Sequence, residues 1–143
     1  MAKDESLIKD FVDDFETILT DLSAYTDNPA LAIHKMAKRM PEIFPQCLIL
    51  PETTTVIGQE AGGEVFSSTI TLFLTIRVPR ITMHEEIYEY EWAIRRAVWK
   101  NRTLNGKSYR ITTAEYGLEH DVGSTRVRDL IITGIAESQY NYL

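Results

Sequence analysis

Few residue groupings in the chain have the types and spacing that chemistry requires. His84-Glu85-Glu86 opens a His-Glu-x-x-His pattern, in which two histidines one helical turn apart hold zinc and the glutamate acts as base. Tyr88 stands where the second histidine belongs, so the segment reads as the polar start of a helix. Glu119-His120-Asp121 puts three ligand-type residues in a row between Gly117 and Gly123. Neighbouring side chains in an extended loop diverge, so a solvated loop is expected there rather than a cation site. The paired carboxylates Asp13 and Asp14 would need a cleft with apolar walls for acid–base work. They fall instead on the polar side of a helix and read as solubilising charge. His34, beside Lys35, Lys38 and Arg39, is expected to be exposed on a short helix. The lone Cys47 permits no intrachain disulfide and no multi-thiolate zinc site, lacks a local activating base, and reads as a small buried hydrophobe. Gly62-Gly63 is not followed by the Lys-Ser/Thr and helix of a phosphate loop, and no Gly-x-Ser-x-Gly elbow occurs. No catalytic residue, cofactor or metal is therefore expected, and the chain does not read as an enzyme.

Charge segregation is the stronger signal. From Arg95 to Arg110 the charged residues are Arg95, Arg96, Lys100, Arg102, Lys107 and Arg110, without an acid. From Met1 to Asp27 the acids are Asp4, Glu5, Asp10, Asp13, Asp14, Glu16, Asp21 and Asp27, against only Lys3 and Lys9. Part of the basic run complements a helix C-terminus. Two complementary but non-identical patches on one chain also suit a head-to-tail contact between copies, which closes into a ring when the rotation allows. On this reading Asp10, Asp13 and Asp14 face Arg95, Arg96, Lys100 and Arg102 across a subunit interface. An alternative is a nucleic-acid-binding or nuclease-like domain using residues 95–110, with Trp99 and Tyr109 as stacking platforms.

The elements that position these residues follow from periodicity. Leu7, Ile8, Phe11, Val12, Phe15, Ile18, Leu19 and Leu22 recur at helical steps behind a cap at Asp4-Glu5-Ser6. Asn28-Pro29 suits the start of a short helix through Leu31, Ile33, Met36 and Ala37, ended by Pro41. Pro45 and Pro51 bracket a short strand, Cys47 to Leu50, and Thr53 to Ile57 is a second β-rich run. After a turn at Ala61-Gly62-Gly63-Glu64, Phe66 to Val78 alternates apolar and polar residues as a long strand closed by Pro79. Thr82-Met83-His84-Glu85 matches a capping box that opens a helix to about Asn101, with Ile87, Tyr90, Ile94, Ala97 and Val98 as its core stripe and Trp92 and Trp99 beside it. Leu104 to Lys107 is a turn, Tyr109 to Thr113 a strand, Tyr116 to Thr125 a loop, and Val127 to Tyr140 a last long strand with apolar residues on both parities. Linkers this short demand mostly antiparallel pairing. The expected fold is α+β, a two-layer sandwich with a mostly antiparallel sheet covered by two amphipathic helices, over a single domain spanning residues 1–143.

Composition agrees with that fold. The 143 residues are 44% hydrophobic and 25% charged, a globular mixture. Area scaling leaves about one third of the unfolded surface exposed at this size, enough burial to stand without disulfides. The opening Met-Ala-Lys-Asp-Glu-Ser lacks the apolar core of a signal peptide, and no window approaches a membrane span, so a reducing cytoplasm is the expected compartment. The net charge of −6 disfavours nucleic-acid binding by the surface as a whole.

The acidic opening helix, proline-punctuated extended region, long alternating strand, second helix, Asn-Gly-type turn and closing strand with Val127-Arg128-Asp129-Leu130-Ile131-Ile132 together resemble the tail terminator (tail-completion, minor tail) proteins of tailed bacteriophages, over about Ser6 to Tyr140. The resemblance implies a virion structural protein of the tail and neck, assembled in the host cytoplasm. Its copies would form a homo-oligomeric ring, six subunits in such proteins, on the head-proximal end of the tail tube. The ring would end tube polymerisation and join the tail to the head connector. Implied partners are the tail tube protein, head–tail connector or neck proteins, and a sheath or sheath-proximal protein if the tail contracts. DNA would only pass through the lumen, with no membrane involved. The family supplies no catalytic residues.

Overall fold

The computed structural model describes residues 6–35, 43–78 and 85–143. Helix α1 (Leu7–Thr20) begins where Ser6 accepts the Lys9 amide at 3.3 Å, which satisfies one orphan donor of the first turn. Strands β1 (Ala32–Lys35), β2 (Gln46–Glu60) and β3 (Gly63–Arg77), helix α2 (Glu85–Lys100), and strands β4 (Ser108–Val122) and β5 (Thr125–Asn141) follow. The five strands form one sheet in the order β1-β2-β3-β5-β4, antiparallel except for β1 with β2. The architecture is the expected α+β sandwich, with the helices on one face of the sheet.

That face forms the core. Ile70, Leu72 and Leu74 of β3 stand opposite Gly134, Ile132 and Leu130 of β5, and all six are buried. Phe11, Phe15 and Ile18 of α1 and Ile87, Tyr90 and Ile94 of α2 pack on them, each worth roughly 1.5–3 kcal/mol of apolar burial. Phe15 lies so close over Gly134 that a Cβ there would stand 2.9 Å from its ring, so the missing side chain lets α1 seat on the sheet. Helix α1 lies over the β1–β2 side and α2 over the β4–β5 side.

Three sequence expectations are corrected. The segment after Pro29 is a strand, not a short helix: Ala32 to Lys35 pair in parallel with Gln46 to Ile49. Asn28 donates to the Glu86 carbonyl at 3.2 Å and the Pro29 carbonyl accepts from the Tyr90 hydroxyl at 2.5 Å, which draws this stretch out along α2. The two runs around Pro51 are one strand. Pro51 is tolerated because it sits at a bulge, beyond the four residues that β1 covers, where its missing amide costs no ladder bond. The segment Tyr116 to Val122 is strand rather than loop; β4 continues past a bulge between Tyr116 and Glu119 and turns at Gly123-Ser124. The expected capping box at Thr82, Pro41 and Pro79 as terminators, and Met36 and Ala37 lie outside the described residues.

The second face of the sheet presents Leu48 and Leu50 of β2, Phe73 of β3, and Ile131 and Ile135 of β5, all half-buried and none part of the core cluster. The mixed parity of β5 noted in the sequence has this origin: one parity feeds the core, the other an apolar strip on the opposite face.

Candidate interaction surfaces

The acidic patch of α1 divides three ways. Asp10 is exposed. Asp13 and Glu16 hold Lys35 of β1 at 3.0 and 3.1 Å, and their hydrogen bonds raise the lysine pKa. Asp14 is not on an exposed face, as its sequence context suggested, but 6% exposed. It accepts from the Tyr109 hydroxyl and from Asn105 Nδ2 at 2.7 Å, with Lys107 Nζ at 3.7 Å. A backbone turn with positive φ at Asn105 (54°) and Gly106 (75°) brings these donors back over α1. Tyr109 is wedged edge-on against Phe11 and Phe15, at 6.1 and 5.2 Å between ring centroids. Burial first, and then the Asp14 carboxylate, push its hydroxyl well above the usual tyrosine range. Asp14 thus ties α1 to β4 within one chain and is unavailable to a neighbour. Tyr109, 2% exposed, is equally unavailable for stacking on bases.

The basic run also divides. Arg95 is bound to Glu91 at 2.6 Å, Arg110 to Glu137 at 2.7 Å, and Lys107 lies on Asp14. Burial works against a charge on Glu91, but donation from the Tyr116 hydroxyl and the Arg95 guanidinium outweighs it and holds the carboxyl below its ordinary range. Arg96 and Lys100 are exposed and have no carboxylate partner among the described residues. Arg102 stacks over Trp99 at 4.5 Å and donates to its carbonyl at 2.8 Å.

Beside the core stripe of α2, Trp92 has no role from sequence, and Trp99 has one only in the nucleic-acid alternative, as a stacking platform. They are 59% and 66% exposed, and Tyr88, one turn before Trp92, is 45% exposed. The helical wheel carries the signal: Tyr88, Trp92 and Trp99 lie opposite Tyr90, Ile94 and Ala97. A shallow groove of about 380 Å³ runs beside this row, lined among others by Asp27, Glu89, Trp92 and Arg96.

The remaining candidates do not assemble. Glu119 and Asp121 point to Arg126, each at 3.4 Å, while His120 points to the other side and meets Asp129 at 2.9 Å. Thr75 donates to the same Asp129 at 3.2 Å. The carboxylate therefore stands between hydroxyl and imidazole, the wrong order for an activated nucleophile, which needs the base against the hydroxyl. No cluster of three or more His, Cys, Asp or Glu able to hold a metal ion occurs among the described residues. His34 is on strand β1 and half-buried, contrary to the exposed helical position expected. Its neighbours Lys38 and Arg39, and His84 of the incomplete zinc pattern, lie outside the described residues. Cys47 is fully buried, and burial pushes its thiol far above the ordinary range. Among the described residues, no helix is long and apolar enough to cross a membrane.

No family model matches the sequence, and no curated protein does. Thirty-one solved chains match in structure. One of them, 14% identical, superposes with a TM-score of 0.50 over 94% of this chain and 99% of its own. At that identity the likeness shows the fold alone.

Proposed function

We propose that this chain is a tail terminator: a subunit of a ring, six copies in the resembling family, that caps the head-proximal end of a phage tail tube, stops its growth and presents a docking surface to the head connector. The observation that carries the reading is the second face of the sheet. A two-layer domain that buries its helices on one face and sets Leu48, Leu50, Phe73, Ile131 and Ile135 on the other carries an apolar strip of the kind that marks protein contact. The element order on which the resemblance rests agrees with this reading, as does the failure of the ligand-type residues to converge. A net charge of −6 per subunit suits a lumen through which DNA passes without sticking.

The nucleic-acid reading is weaker. Burial of Tyr109 removes one of its two stacking platforms and leaves only Trp99. Native mass spectrometry over a concentration series at moderate salt tests the proposal. A discrete species of about 98 kDa, six copies of the 16.4 kDa chain, is expected. A closed dimer, or an open ladder without a preferred size, contradicts it.

A further inference from the structure

The acidic and basic patches that the sequence pairs across an interface, on α1 and α2, lie on the same face of the sheet. Two such patches satisfy each other most simply in a face-to-face dimer, not in a ring. A ring needs complementary surfaces on different sides of the subunit, and the molecule carries such a pair.

One is the outer ridge of α2. Tyr88, Trp92 and Trp99 form an exposed aromatic row, flanked by the cations Arg96 and Lys100, which have no carboxylate partner among the described residues. Exposed Trp, Tyr and Arg in one row have the composition of a binding hot spot. The row lies on the β4–β5 side of the molecule.

The other is the hairpin of β2 and β3, on the far side of the sheet. Beyond Ile49, β2 has no partner on its outer edge among the described residues, and Glu52 to Ile57 are all exposed. The bulge between Val56 and Gly58 leaves Val56 and Ile57 in succession at the surface, 43% and 53% exposed. From Phe44 to Ile76 the chain has no Lys, Arg or His, and its only charges are Glu52, Glu60 and Glu64. Tyr142 engages Glu64 at 2.9 Å, while Glu52 and Glu60 have no cationic partner among the described residues. The dimensions agree as well. Val56 to Glu60 spans about 13 Å of strand, and Trp92 to Lys100 about 12 Å of helix.

We infer that the β2–β3 hairpin of one copy docks on the α2 ridge of the next, Val56 and Ile57 covering Trp92 and Trp99 while Glu60 meets Lys100 and Arg96. The inference rests on the ring reading and names its contact. Because the two surfaces are on opposite sides of one chain, each is filled by a different neighbour, which is the heterologous arrangement that closes a ring. Charge fixes register and partner, and the aromatic row supplies most of the affinity.

The experiment uses charge exchange and cross-linking on the full chain, with far-UV circular dichroism checking that each variant folds. Arg96→Glu and Glu60→Lys each weaken self-association by roughly tenfold, and the double variant recovers most of it. Trp92→Ala weakens it by roughly thirtyfold or more. Because Cys47 is buried, Gln59→Cys and Thr103→Cys supply the reactive thiols. An equal mixture of these two variants treated with a bis-maleimide gives a cross-linked dimer, and each variant alone gives none. A six-copy species that forms without that cross-link, or that ignores the charge exchange, overturns the contact and leaves the ring standing. A monomer at every concentration overturns the contact as a self-closing one and moves the test of the ring to growing tail tubes. Binding of a single-stranded DNA oligonucleotide that is lost in Trp92→Ala, without self-association, overturns the inference in favour of a nucleic-acid platform.

Discussion

Replacing Asp14 tests whether one buried carboxylate holds α1 to β4. In Asp14→Ala, the Tyr109 hydroxyl keeps its buried position and loses its acceptor, and Lys107 loses its carboxylate partner at 3.7 Å. Asn105 is exposed and recovers water in place of its 2.7 Å bond, so its share is small. A bond to a charged acceptor contributes about 1.5–3 kcal/mol, and a stranded buried hydroxyl costs a further ~1–3 kcal/mol. Lys107 is partly solvated, which discounts its part. Together these come to about 2.5–6 kcal/mol, a range that includes the cost of breaking other buried charged contacts. Urea unfolding followed by circular dichroism, with an m-value of ~2 kcal/mol/M for a chain of this size, converts that to a midpoint shift of about 1.3–3 M. Tyr109→Phe removes one donor and leaves the carboxylate its other two, so about 1–2 kcal/mol is expected. The two changes together should fall short of their sum by at least ~1 kcal/mol, because each removes the same bond. A loss below ~0.5 kcal/mol in Asp14→Ala, or full additivity with Tyr109→Phe, refutes the reasoning.

Stability should fall at alkaline pH. Burial first, and then Asp14 for Tyr109 and Glu86 for Tyr90, hold both hydroxyls above their ordinary pKa, so the folded chain keeps protons that the unfolded chain releases. Stability is complete below about pH 10 and declines above it by up to ~1.4 kcal/mol per pH unit for each tyrosine, and Tyr109→Phe should flatten that decline in urea titrations from pH 8 to 11.5. Cys47 should resist a thiol reagent in buffer and react promptly in denaturing urea. Gly134→Ala should cost about 1–3 kcal/mol, since its Cβ would stand 2.9 Å from the Phe15 ring, and Phe15→Leu should recover part of the loss. An unchanged midpoint in Gly134→Ala removes the close approach as the reason for glycine there.

The sequence displayed most of the fold because its strongest periodicities coincide with buried faces. Phe11, Phe15 and Ile18 read as a helix stripe, and Ile70, Leu72 and Leu74 as one side of a strand; all are core. The errors occur where tertiary pairing overrides local propensity. Ala32 to Lys35 sit after a good helix start but join β2 through partners fourteen residues away, and the two-residue step from Leu31 to Ile33 is the available sign of a strand. Gly117 suggested a loop, whereas Arg128 donates to its carbonyl at 2.7 Å and keeps it in the sheet at a bulge. Asp14 looked like surface charge because its donors come from residues 91 and 95 positions away, which no local window contains. Of the seven residues expected at an interface, Asp10, Arg96, Lys100 and Arg102 stay at the surface without a carboxylate bond of their own among the described residues, while Asp13, Asp14 and Arg95 are engaged within the chain. The aromatic row of α2 was legible in principle, since Tyr88, Trp92 and Trp99 fall opposite the core stripe.

The proposed function is tested most directly on growing tail tubes. The purified chain is added to the cognate tube protein during polymerisation, and tube lengths and ends are recorded by electron microscopy. The account predicts that tubes stop lengthening and carry a six-fold ring at one end, and that Trp92→Ala lets growth continue. Tubes that lengthen as they do without the chain, and carry no added density at either end, contradict it.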